Sequence, residues 1–241
     1  MSYKITNKYH LEFLKELKIH ARHGTKHQKE RDKSYIGSKK FSYMIKIPVL
    51  RQIIKGWIKK HKMISIAEYI RLLNSLYEGE SHDERCIAGK LLEFLPKLRK
   101  QLNPRLLKKW LNGAEGWSEV DSICQSNFSA EEMLTNWKVW RELITDFAED
   151  KDIHRRRASL VLLTKPVHHS ADLRLSKLAF ETIEKLKVEK DILITKAVSW
   201  LLRDLIKNNT EEVKDYLDKN KNSLPKIAVR ETTRKLLTGR K

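Results

Sequence analysis

Apolar residues recur along this chain at intervals of three and four, and nothing reads as an alternating strand, so the pattern predicts helix after helix. The first spans Tyr9 to about Ala21, with Leu11, Phe13, Leu14, Leu17 and Ile19 supplying apolar contacts. A polar, basic segment from Arg22 to Lys40 then breaks the pattern, and the stretch Tyr35 to Pro48 leads into a helix from about Pro48 to Lys60, with Pro in a first-turn position. Helices are expected over Ser65 to Tyr77 and His82 to Leu95, the latter interrupted or extended around Pro96 as far as Gln101. Asn103-Pro104 opens a short helix to Leu111, and 112–116 is a loop before a helix that begins within Gly116 to Asp121. Ser129-Ala130-Glu131-Glu132 reads as a capping box that starts a helix to about Ala148. Ile153 to Thr164 follows, stopped before Pro166, then Ala171 to Val188, Ile192 to Asn208, Thr210 to Lys219 and Pro225 to Leu237.

These are about eleven short helices in antiparallel pairs, and a pair spacing of about forty residues suggests a HEAT-like α-solenoid. No linker divides the chain, so a single all-α helical-repeat domain over residues 1–241 is expected. In such a fold one concave face collects residues from successive repeats.

Charge changes the picture. Fifty Lys and Arg against 31 Asp and Glu give a formal net charge of +19, a surplus that favours a polyanion, nucleic acid before an anionic membrane surface. No apolar run approaches the length of a spanning helix and the N-terminus has no signal-peptide core, so the expected location is cytoplasmic, associated with the nucleoid. Cys86 and Cys124 fall among apolar neighbours and read as reduced core residues. His20, His23 and His27 recur near helical spacing and His168-His169 are adjacent, but no Cys or carboxylate matches them; neither a metal nor a cofactor is expected.

Three residues sit on unexpected faces. Trp117 and Asp121 share a helix face beside Cys124 and Phe128, with Asp121 at the border of the stripe that Val120 and Ile123 continue. Asp121 fits a capping box with Ser118 and a first-turn acid suited to the helix dipole; it equally fits a site carboxylate. In the Ile192 to Asn208 helix the burying stripe is Ile194, Ala197, Val198, Leu201, Leu202 and Leu205, and Trp200 lies opposite, beside Lys196, Arg203 and Lys207. A Trp among cations is a layout for packing on nucleotides, or for wedging against a neighbouring repeat. Arg157 falls between Leu160 and Val161 on its wheel, so a carboxylate or phosphate should meet its guanidinium, in an ion pair between repeats or at a site. Arg155 and Arg156 point elsewhere, towards solvent or a phosphate backbone.

The chain resembles the AlkD-type DNA alkylation repair glycosylases, which are HEAT-like α-solenoids, from about Tyr35 to Arg234. The resemblance is carried by Tyr35 through Pro48 leading into Arg51, by Trp117-x-x-Val120-Asp121, by Arg157-Ala158, and by Ile194-x-Lys196-Ala197-x-x-Trp200-x-Leu202-Arg203. It implies that Trp117, Asp121 and Trp200 are catalytic cleft residues, that Arg157 supports the cleft and the DNA backbone, and that Tyr35 lies near the DNA. Two positions depart: Gly116 stands where relatives often carry an aromatic, and His154 where they often carry a Trp, changes that bear on lesion range and grip.

The activity implied is excision of N3- or N7-alkylated purines, whose positive charge makes the base a good leaving group. Asp121 would stabilise an oxocarbenium-like deoxyribose and position water, with Trp117 and Trp200 flanking the sugar. Lys39, Lys40, Arg156, Lys196, Arg203, Arg230 and Arg234 are the expected phosphate contacts, giving a steep salt dependence on duplex DNA. A monomer suffices for that task. The rival readings are a DNA-binding solenoid that grips distorted or branched duplex without chemistry, and a protein-interaction solenoid whose basic face meets an acidic partner.

Overall fold

The computed structural model describes residues 5–125 and 127–239. Among them are fifteen helices: α1 (Lys8–His20), α2 (Lys26–Ile36), α3 (Ile47–Lys60), α4 (Ile66–Tyr77), α5 (His82–Phe94), α6 (Pro96–Arg99), α7 (Leu106–Trp110), α8 (Gly116–Cys124), α9 (Ala130–Thr135), α10 (Trp137–Ala148), α11 (Ile153–His169), α12 (Leu173–Leu186), α13 (Ile192–Leu205), α14 (Thr210–Asn220) and α15 (Lys226–Thr238). The all-α expectation holds; the one β-type pairing among the described residues is a parallel bridge between Phe41 and Ser81. No helix among them is long and apolar enough to cross a membrane. The chain divides into two units, residues 1–123 and 124–241.

The first unit is built on α5. Helices α1, α3 and α4 pack on it, burying Phe13 and Leu17, Ile54 and Trp57, and the stripe Tyr69, Leu72, Leu73 and Leu76 against Ile87, Leu91 and Leu92. Helix α4 starts at a reciprocal capping box between Ser65 and Glu68, and α5 at one between Ser81 and Glu84, so side chains satisfy the orphan amides of both first turns. Helix α5 is unusual in burying four consecutive polar residues, His82, Asp83, Glu84 and Arg85. Glu84 is met by His10, whose Nε2 lies 2.7 Å from Glu84 Oε1 while its Nδ1 lies 2.7 Å from Ser75 Oγ. Burial opposes the charge on Glu84, but its bonds with His10 and Ser81 prevail and hold the carboxyl below its ordinary range.

The basic stretch 22–40, expected to interrupt the helices, contains α2. Thr25 and Gln28 form a capping box at its start, and Gly37, in the left-handed region at φ 72°, ends it by donating its N–H to the Lys33 carbonyl. Caps at both ends and straight-chain residues between them replace an apolar stripe as the source of helicity.

In the second unit α11, α13 and α15 contact one another in turn, and α10 packs on both α11 and α12. The expected burying stripe of α13 is found in full, with Ile194, Ala197, Val198, Leu201, Leu202 and Leu205 inaccessible to solvent. The capping box at Ser129 and Glu132 is present, but Asn136 (φ −115°, ψ 42°) breaks the following helix into α9 and α10. Helix α11 does not stop before Pro166; it continues to His169. An interior Pro costs about 3 kcal/mol, yet residues 157–164 are buried among α9, α10, α12 and α13, and Thr164 Oγ1 donates to the Val161 carbonyl. Packing on four helices outweighs the local penalty.

Candidate active site

Helix α8 carries Trp117 and Asp121 and is fixed to the rest of the first unit from three directions. The first is backbone contact with α5. Gly89 lies so close to α8 that a Cβ there would stand 2.7 Å from the Ser122 carbonyl carbon and closer still to its oxygen. The second is backbone contact with the end of α2. Gly116, at φ 62°, abuts Gly37, and a Cβ on Gly116 would come within 2.5 Å of the Gly37 carbonyl group. Only glycine tolerates both the dihedral and the contact. The aromatic that the resemblance places at this position has no room here; the space is occupied by the α2 terminus. That docking brings Tyr35 to Trp117: the indole Nε1 donates to the Tyr35 carbonyl at 2.6 Å, and the rings meet edge to face at 5.5 Å.

The third direction is electrostatic. Glu119, fully buried, accepts from Ser38 Oγ at 2.8 Å and from the Glu115 N–H at 3.0 Å, and its carboxylate forms an ion pair with Arg85, whose Nε stands 2.8 Å away. Lys40 Nζ stands 3.3 Å and His82 Nδ1 3.5 Å from the same carboxylate. Arg85 completes its bonds through the carbonyls of Tyr77 and Trp110. Burial pushes the Glu119 carboxyl up; the adjacent His82 imidazole and the charges of Arg85 and Lys40 overcome it and hold the carboxyl at about 2. For His82 burial likewise opposes the charge, and bonds to Cys86 and Glu119 overcome it, raising the imidazole to about 10. Ser118 Oγ, 3.3 Å from His82 Nε2, is drawn to the same cluster.

This cluster revises the capping expectation. Helix α8 begins at Gly116, so Ser118 is inside it, and the acid of its first turn is Glu119. Glu119, through its bond to the Glu115 amide, closes the helix start. Asp121 stands beyond that turn, 6 % exposed, one helical turn after the half-buried Trp117. The sequence reading missed Glu119 and Arg85, although the i, i+4 spacing of Glu119 and Ile123 placed a carboxylate in the apolar stripe.

In the second unit Arg157, 5 % exposed, donates from Nη1 to the Leu193 carbonyl at 2.5 Å, tying α11 to the first turn of α13. Trp200 is half-buried beside that stripe's polar flank, with Lys196 exposed on the same helix. Arg203 Nη1 is 3.1 Å from Glu231 of α15, whose carboxylate also accepts from Ser199 Oγ at 2.6 Å.

Residues 15–236 match the family of DNA alkylation repair enzymes. The chain belongs to that family. Among solved structures it is similar to a predicted DNA alkylation repair enzyme from Enterococcus faecalis, at 16 % identity over 89 % of this chain and 97 % of the other, with a TM-score of 0.67; that likeness speaks to the fold. No protein of curated function matches.

The basic residues of this DNA alkylation repair family member divide into two sets. Lys39, Lys196, Arg230 and Arg234 are exposed, as is Tyr35. Lys40 turns inward to Glu115, Glu119 and the Gly113 carbonyl, and Arg156 is held by Glu189 through bonds of 2.7 and 3.1 Å. Arg155, expected to face solvent or phosphate, pairs with Asp150 at 2.8 Å, and His154 Nδ1 lies 3.0 Å from the helix-capping Asp152. Acidic partners five to 79 positions away, invisible to local pattern, take up these cations.

Proposed function

We propose that this protein is a DNA glycosylase that excises positively charged N3- or N7-alkylated purines from duplex DNA, initiating base excision repair. The observation that carries the reading is Asp121, a buried carboxylate one turn from Trp117 on a helix whose capping role belongs to another residue. A protein with a formal charge of +19 that binds DNA through charge alone gains nothing from an acid there.

The chemistry follows from the lesion. An alkylated N7 or N3 gives the base a full positive charge, so the base departs neutral as the C1′–N bond breaks and positive charge passes to the deoxyribose. A carboxylate sheltered from water stabilises that cation more strongly than one in bulk solvent, because the surrounding dielectric is lower. Water then attacks C1′ and gives its proton to Asp121. The face of Trp117 adds a cation–π contribution of about 0.5–2 kcal/mol. Trp200 and Arg157 are assigned to the same reaction, Trp200 at the sugar and Arg157 as a positioning residue. Tyr35, Lys39, Lys196, Arg230 and Arg234 are assigned to DNA contact; Lys40, Arg156 and Arg203 complete that set only where their acidic partners yield. The protein acts as a monomer of HEAT-like repeats without a cofactor.

The test is release of free base from a duplex bearing a single 7-methylguanine. Release above the spontaneous rate, absent from the undamaged duplex, is expected; binding without release on this and an N3-methyladenine duplex would leave a non-catalytic DNA binder.

A further inference from the structure

The segment Ser38–Tyr43 crosses the start of α8 and α5 as an extended strap, and nearly every residue of it is pinned. Ser38 Oγ donates to Glu119 at 2.8 Å, the Lys39 N–H to Glu115 at 2.6 Å, and Lys40 Nζ to the Gly113 carbonyl at 2.7 Å. The Phe41 carbonyl accepts from the His82 N–H at 2.8 Å. Ser42 Oγ and the Tyr43 N–H both donate to Asp83, at 2.9 and 2.8 Å. Successive side chains of an extended segment point to opposite sides. Ser38, Lys40 and Ser42 accordingly turn inward, and Lys39 and Phe41 turn out. The strap ends at Met44, a non-glycine residue at φ 58°, a left-handed conformation that costs about 1–2 kcal/mol for an L-residue.

Phe41 is the anomaly. Its ring is 58 % exposed, braced edge to face on Tyr43 at 4.8 Å, on a backbone that cannot retract it. A fixed aromatic two positions from an exposed lysine, on a segment bonded to the helix of Trp117 and Asp121, fits one partner chemistry: a phosphate for the cation and an exposed base or sugar face for the ring.

We infer that Ser38–Tyr43 is a DNA-gripping strap in which Lys39 contacts a backbone phosphate and Phe41 packs against a base or sugar exposed at the distorted lesion. This rests on duplex DNA being the partner, and does not require that base release occur. The strap makes recognition of unstacked DNA a property of the α8 region itself, since the carboxylates that hold it, Glu115 and Glu119, belong to or adjoin that helix.

The experiment is equilibrium binding of wild type, Phe41→Ala, Phe41→Trp and Lys39→Ala to a duplex with a tetrahydrofuran abasic analogue and to the intact duplex, each across a salt series. Stacking on one aromatic is lost with Phe41→Ala, so affinity for the abasic duplex should fall by about tenfold or more. The salt slope and the melting temperature should be unchanged, and Phe41→Trp should retain affinity. Lys39→Ala should lower the salt slope by about one on both duplexes. Equal abasic-site affinity of Phe41→Ala and wild type overturns the inference and leaves the ring to a protein partner. Failure of the wild type to bind either duplex sinks the DNA reading as well.

Discussion

Replacing Glu119 by Gln removes a charge while keeping shape, and the surroundings set the size of the response. Arg85 is buried with its Nε 2.8 Å from the Glu119 carboxylate, and its other donors are already committed to the Tyr77 and Trp110 carbonyls. It cannot turn to solvent for a new partner. Removing one member of a buried pair costs about 3–5 kcal/mol, chiefly the penalty of the charge left behind. For a chain of this size that lowers the melting temperature by roughly 6–20 °C. The pH dependence gives a sharper signature. Glu119 titrates at about 2 in the folded protein against an ordinary 4.5, so its contribution is full above pH 4.5 and lost as the pH falls towards 2. His82 titrates at about 10 against an ordinary 6.5, so its contribution is full below pH 6.5 and lost as the pH rises towards 10. The stability gap between wild type and Glu119→Gln should therefore be widest between pH 4.5 and 6.5 and narrow on both sides. Urea denaturation at a series of pH values measures it. A variant within about 0.5 kcal/mol of wild type at pH 5.5, the ordinary scatter of a surface change, or a gap independent of pH, would refute the assignment of the cluster as the anchor of α8.

The other expectations concern the same helix. Gly89→Ala places a methyl against the Ser122 carbonyl, so overpacking should cost about 1–3 kcal/mol. If α8 moves by an ångström to relieve it, base release should fall by about a hundredfold with DNA affinity retained, read by single-turnover kinetics beside binding. Gly116→Ala combines a left-handed dihedral with a clash on Gly37 and should detach α2, exposing residues 22–45 to limited proteolysis at protease levels that leave the wild type intact. Phe41→Ala, by contrast, should leave the fold untouched and weaken only the hold on unstacked DNA.

Much of this architecture can be read from the chain. The stripe of α13, the capping box at Ser129 and the shared face of Trp117 and Asp121 are short-range patterns, and helices are held by short-range geometry. What escapes is governed by distant partners. Pro166 looks like a stop until the helices around α11 are known. Arg155 and Arg156 look like phosphate ligands until Asp150 and Glu189 are placed beside them. Gly116 reads as a lost aromatic, whereas it is half of a glycine–glycine contact with a residue 79 positions earlier. Glu119 and Asp121 are both acids near one helix start, and only the positions of Arg85, His82 and Lys40 mark Glu119 as an anchoring carboxylate.

The proposed catalytic role of Asp121 is tested most directly by single-turnover release of 7-methylguanine from duplex DNA by wild type and Asp121→Asn. Release by the wild type is expected, with a drop of about 10²–10³-fold in the variant from loss of one electrostatic stabiliser. Duplex affinity should be little changed. Equal rates for the two proteins would contradict that role, because Asp121 would then have no part in the chemistry.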